Sequence, residues 1–295
     1  MKNSETRPFD LLREEARPQW GDRIRNRLSI RRLWNVGPNI ESVEEFERLL
    51  RLTSRTVGLK TGLPDEEELL DLLKKEDWGI PSAITRKLKE AEDATGYLKF
   101  IVRSLQNEDA TVRGNAATAL GLSGQFPPEV VNPLISALRD QSPEVRWSAA
   151  EALGHLQSPS PEVVSALIWA CDDKEWLVRG TVVWALGKLG QPSRQVIDTM
   201  VEALTDSAGL VREQAIGALA RLAYSSPEVV NALVFALRDD DSDVRSSALQ
   251  ALGILGDASP ERVVKILQAA LSKEEDQTIR GEIESVITRI KNKET

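Results

Sequence analysis

Residues that carry chemistry are scarce in this 295-residue sequence. A single cysteine, Cys171, excludes an internal disulfide. With a single histidine, His155, it also excludes zinc sites made of four cysteines, two cysteines with two histidines, or three histidines. The paired Glu/His di-iron sets of helical metalloenzymes need a second histidine too. Long apolar runs are missing: the longest, Val163 to Cys171, is nine residues and contains a serine, against roughly 20 for a membrane span. The first residues, Met-Lys-Asn-Ser-Glu-Thr-Arg, hold no apolar stretch, so no secretory signal is expected and the setting reads as reducing and cytoplasmic. These absences weigh against an enzyme, and no metal or cofactor is expected.

What is present is charge, unevenly spread. The net charge is -8. Residues 1–60 hold 13 basic against 9 acidic side chains, residues 61–96 hold 5 against 10, and the remainder 20 against 27. An acidic main body argues against the broad basic footprint that duplex nucleic acid requires.

The strongest signal is a period. Val-Arg recurs at Val112-Arg113, Val145-Arg146, Val178-Arg179, Val211-Arg212 and Val244-Arg245, each step being 33 residues, and a degenerate Ile279-Arg280 follows 35 later. Periods of this length mean a stack of supersecondary units. Two helices fit within each. The first opens at Ser-Pro-Glu, as at Ser160 and Ser226, where serine accepts from first-turn amides and proline at the first helical position loses no bond. The second opens near Ser142-Pro143-Glu144 and places Val145, Ala149, Ala152, Leu153 and Leu156 on one face. Gly154 and Gly187 are expected to end such helices.

The Val-Arg-x-x-Ala-x-x-Ala-Leu-Gly block, with Asp140, Asp173, Asp206 and Asp239 each six residues before Arg146, Arg179, Arg212 and Arg245, resembles the HEAT repeat family, in particular short bacterial and archaeal HEAT-like repeats. The resemblance implies an all-α, right-handed α-solenoid of about six helix pairs at 97–127, 128–160, 161–193, 194–226, 227–259 and 260–295. It also implies that these aspartates and arginines form a ladder between repeats. Asn107 stands where the first copy should have aspartate, and Lys273 or Glu274 stands near that place in the last, so the ladder is in question at both ends.

Residues 1–96 contain no copy of the repeat and read as an irregular helical arm or cap, with helices near 8–17, 21–33, 42–56, 65–76 and 81–93 and a capping box at Ser42. Arg7, Arg13, Arg17, Arg23, Arg25, Arg27, Arg31 and Arg32, interleaved with Trp20 and Trp34, could touch RNA or an acidic protein. Neutralisation by neighbouring carboxylates is the plainer reading.

A solenoid of helix pairs presents its second helices on a concave face. A helical wheel puts Trp147 opposite the core, near Glu151 and His155. A shift of 33 then brings in Gly180, Trp184 and Lys188, with Arg221 in the copy after. These positions vary between copies while the core positions hardly do. Trp147 and Trp184 are thus expected to be exposed, extended by Trp176, Leu177 and Thr181, and rimmed by Glu151, His155, Lys188 and Arg221. Packing of the indoles within the chain is the competing reading. Trp169 and Phe235 read as filler on the convex side, and Cys171 as a small core residue. His155 has no Ser, Cys or Asp in a triad-like pattern. The function expected is a non-catalytic scaffold or adaptor, monomeric, holding a protein or peptide in its groove. Two alternatives come from similar repeats elsewhere: bilin lyases, which attach tetrapyrroles to phycobiliproteins, and HEAT-like alkylpurine DNA glycosylases.

Overall fold

The computed structural model of the chain describes residues 66–75, 81, 84–85, 94–124 and 126–293, all within the unit Leu59–Thr295. The helices expected at 8–17, 21–33 and 42–56, the Ser42 capping box, the arginine- and tryptophan-bearing arm and most of the helix expected at 81–93 lie outside these residues. Among the described residues there are thirteen helices and no strand. They are α1 (Glu66–Leu73), α2 (Ala94–Ser104), α3 (Ala110–Ser123), α4 (Pro128–Ala137), α5 (Pro143–Leu153), α6 (Pro161–Ala170), α7 (Trp176–Leu189), α8 (Arg194–Ala203), α9 (Gly209–Leu222), α10 (Pro227–Ala236), α11 (Ser242–Ala258), α12 (Pro260–Leu271) and α13 (Gln277–Asn292). From α2 onward they form six consecutive pairs of an all-α solenoid, and α1 packs against α3.

The period explains the core. The valine of each Val-Arg pair is buried at Val112, Val145, Val178, Val211 and Val244, as is Ile279 in the last copy. One and two turns later the same face brings Ala116, Ala149, Val182, Ala215 and Ala248, then Leu120, Leu153, Leu186, Leu219 and Leu252. The first helices answer with Val130, Val163, Val196 and Val229, and with Leu134, Leu167, Met200 and Leu233. Leu156, expected on the core face of α5, lies beyond it: the helix stops at Leu153 and Leu156 is half-buried. Among the first helices, Ser193 and Ser226 cap α8 and α10 by accepting from the amides three residues on. Ser160 does not cap α6 in this way.

The arginine ladder runs from one repeat to the next. Arg146 donates Nε and Nη2 to the two carboxylate oxygens of Asp173, at 2.5 and 2.8 Å. Its Nη1 reaches back to the carbonyls of Asp140 and Gln141 in its own inter-helix turn. Arg113–Asp140, Arg179–Asp206 and Arg212–Asp239 repeat the same fork. Each aspartate also accepts from the amide two residues on, at Ser142, Glu175, Ala208 and Asp241, so one carboxylate fixes its turn and the preceding helix together. Burial alone would push these carboxyls up. The arginine hydrogen bond, the turn amide and the arginine charge outweigh it and hold all four below the usual range.

A folded-state value below the unfolded one means that the stabilisation is present above the unfolded pKa, about 3.9, and is lost as pH falls through the lower folded values. The urea midpoint is therefore expected to stay flat from neutral pH to about 5 and to fall steeply below about 4. A curve that is no steeper there for the native chain than for Asp173→Asn would contradict the ladder's role.

The two ends of the ladder differ from the expectation. Arg113 is the first rung, because its partner Asp140 belongs to the following repeat. Asn107 instead gives its carbonyl oxygens to the Arg113 guanidinium and the Asp109 amide. Arg245, expected as a rung, holds among the described residues only its own turn carbonyls, Asp239 and Asp240. The longer last step leaves Ser272 where aspartate would stand. Glu274 takes over the turn amide, at Asp276, and pairs with Arg238 instead.

Candidate functional site

From α3 to α11 the second helices pack on one another far more closely than the first helices do, and glycine is the reason. A Cβ at Gly187 would lie 2.5 Å from Ala218 Cβ and 2.8 Å from its Cα. One at Gly154 would lie 2.9 Å from Ala185 Cβ, and one at Gly121 2.8 Å from Ala152 Cα. Gly154 and Gly187 therefore serve helix approach: Gly154 also stands at the C-cap of α5, as expected, in the right-handed conformation (φ -64°), whereas Gly187 is internal to α7 and ends nothing. The left-handed ends fall at Gly124, Gly190 and Ala223. Unequal spacing bends a stack toward its tighter side, so the second helices line the inner face.

On that face the expected pair of exposed tryptophans separates. Trp147 is buried, with 6% of its surface exposed. The equivalent positions on both flanking helices are glycine, Gly114 and Gly180, each itself buried. Trp184 is half-buried and central. The His155 ring meets it edge-on, centroids 5.8 Å apart and planes at 62°. Lys188 Nζ sits 5.0 Å from the Trp184 ring centroid and 3.1 Å from His155 Nδ1. The ammonium donates, so the imidazole accepts at Nδ1 and its ring proton belongs on Nε2. Aromatic edge, cation and imidazole thus make one cluster across α7 and the end of α5.

The remaining expected residues surround this cluster unevenly. Glu151, Trp176 and Leu177 are half-buried, and Arg221 is exposed. Thr181 is fully buried and gives its hydroxyl to the Leu177 carbonyl, so it supports α7 rather than facing a groove. Two features escaped the sequence reading: the bond from Thr118 Oγ1 to Ser148 Oγ, at 3.2 Å, and the position of Arg221 Nη1 over Gly187, 3.1 Å from where a Cβ would stand. The 33-residue shift relates Thr118 to Glu151 and Trp184, and so carried a signal for the first.

Outside the inner face, Trp169 and Phe235 are 55% and 69% exposed. They fill nothing, which corrects the reading of them as convex filler, although Arg139 lies 4.8 Å over the Trp169 ring. Burial pushes the Cys171 thiol up to about 12, far from a reactive thiolate. Among the described residues no group of three or more His, Cys, Asp or Glu could hold a metal ion, and no helix is long and apolar enough to cross a membrane.

The family described as HEAT repeats matches residues 131–220 and 197–287, and the PBS lyase HEAT-like repeat matches residues 112–140. No curated protein matches the chain. Among solved structures it is similar to the Escherichia coli protein YibA, at TM-score 0.55 and 20% identity, over 82% of this chain and 96% of that one. An archaeal HEAT-like repeats protein from Thermococcus onnurineus matches at 0.48 and 18%, over 79% and 99%. The complex of CpcE and CpcF of phycocyanin lyase from Nostoc matches at 0.45 and 21%, over 79% and 97%. At these identities the likeness to YibA concerns the fold alone.

Proposed function

We propose, because this chain belongs to the HEAT repeat family, that it is a non-catalytic binding protein whose inner face holds a peptide segment of another protein, with Trp184 as the anchor. The observation that carries the reading is the half-buried Trp184 on an otherwise closely packed face, bordered by His155 and Lys188. An indole held in place and surrounded by polar groups is the composition of a binding hot spot. The helices beneath it are already ordered by the ladder, so little conformational entropy is lost on capture. Trp147 supports the wall of this site from inside the stack and is not one of its contacts.

Peptides selected from a random display library on the full chain test the reading. Trp184→Ala is expected to weaken the selected peptides by about thirtyfold, the equivalent of about 2 kcal/mol, with helical circular dichroism unchanged. If no selected peptide distinguishes the two proteins, the inner face is not a peptide site.

A further inference from the structure

The ladder and the close approach of second helices fail together at one joint, between α11 and α13. Arg113, Arg146, Arg179 and Arg212 each reach a carboxylate of the following repeat. Arg245 is seated in its own turn as they are, on the carbonyls of Asp239 and Asp240. Among the described residues, however, its fork meets no carboxylate of the last repeat. Glu274 accepts from the Asp276 amide as the ladder aspartates do from theirs, but it is held by Arg238. That pair joins the turn after α10 to the turn after α12 and leaves α11 without a rung.

Helix approach changes at the same place. At Gly121, Gly154 and Gly187 an added Cβ would meet the backbone of Ala152, Ala185 and Ala218 on the next second helix. At Gly253 it would meet the guanidinium of Arg289, and at Gly256 the side chain of Ile290. Across the 35-residue step, the alanine of the earlier helices, Ala152, Ala185, Ala218 and Ala251, becomes Val286. A layer of side chains thus separates α13 from α11, and these two pack no more closely than α10 and α12. Apolar packing remains, with Ile279, Ile283, Val286 and Ile290 buried, together with two ion pairs open to solvent. Arg238 is 42% exposed in the first, and Lys293 and Asp257 are 59% and 42% exposed in the second. Exposed pairs are weak and screened by salt, whereas buried ones are screened much less.

We infer that α12 and α13 form a hinged end of the solenoid, a unit that opens as one body from α10 and α11 while the preceding helix pairs stay closed. Within the unit, Arg280 gives Nη1 to the carbonyls of Leu271 and Glu274, so the two helices move together. The hinge is Ser259, the single residue between the end of α11 at Ala258 and the start of α12 at Pro260. Opening bares the α10–α11 edge and ends the inner face one repeat earlier, and salt favours it.

Hydrogen–deuterium exchange of the full chain, read by mass spectrometry, tests the hinge. Amides of α12 and α13 should share one level of protection, roughly tenfold or more below that of α7 and α9, the ratio given by about 1.4 kcal/mol. The step should fall between α11 and α12. Raising NaCl from about 0.05 M to about 0.5 M should widen it, and so should Arg238→Ala, with α3 to α9 unchanged. Protection that declines gradually along α13 toward Asn292 is end fraying and overturns the hinge. Equal protection of α13 and α7 does the same, as does a step that neither salt nor Arg238→Ala moves. A step moved as far by Arg194→Ala, which breaks an exposed pair elsewhere, as by Arg238→Ala would also overturn it.

Discussion

Arg146→Ala is expected to lower the unfolding free energy by about 3–5 kcal/mol, the usual cost of leaving one partner of a buried ion pair behind. The Arg146–Asp173 rung is the most closed of the four, with side-chain exposures of 8% and 9%. Removal of the guanidinium leaves Asp173 with only its turn amide, at Glu175, and releases the carbonyls of Asp140 and Gln141. In a stack whose stability is a sum of repeats and nearest-neighbour interfaces, loss of a central interface also uncouples the two sides. Urea unfolding followed by circular dichroism should therefore broaden or split as well as shift. Replacing both partners, Arg146→Met with Asp173→Leu, should recover most of the loss, because neither charge is then stranded. Arg194→Ala, which breaks the exposed Arg194–Asp198 pair, should leave the transition where it is. Equal effects at Arg146 and Arg194 would refute the ladder as a source of coupling.

The ladder and the core were legible because the 33-residue shift itself carries structural information. Once Val145 is placed inside, Val112, Val178, Val211 and Val244 follow, and Arg146 fixes the place of Arg179 and Arg212. The shift fails where the spacing changes: the step to Ile279 is 35, so Ser272 replaces an aspartate and Arg245 loses its rung to the Arg238–Glu274 pair. Trp147 illustrates a second limit. A helical wheel sorts residues by the angle around one helix, yet a helix in this stack is covered on three sides, by its partner and by the second helices before and after it. The residue opposite the core is exposed only if its neighbours leave it uncovered, and Trp147 is buried. Trp184 sits on the same helical face but one turn later, where the flanking positions are Glu151 and Gly217, and it remains half-exposed.

Clearance between the second helices leads to a pair of substitutions with opposite signs. Alanine is about 1 kcal/mol more favourable than glycine inside a helix, so Gly→Ala in α7 or α9 would stabilise if propensity alone decided. At Gly217 a new Cβ meets nothing within 4 Å, and Gly217→Ala is expected to stabilise by up to about 1 kcal/mol. At Gly187 the same methyl would stand 2.8 Å from the Ala218 backbone. A backbone atom cannot rotate aside, so α9 must move away from α7. The expected result for Gly187→Ala is a net loss of about 1–3 kcal/mol despite the better propensity. Thermal unfolding of both proteins, read against the native chain, separates the two effects. If Gly187→Ala unfolds at or above the native temperature, the close approach of α7 and α9 does not limit this position, and the tight inner spacing that shapes the site would need another cause.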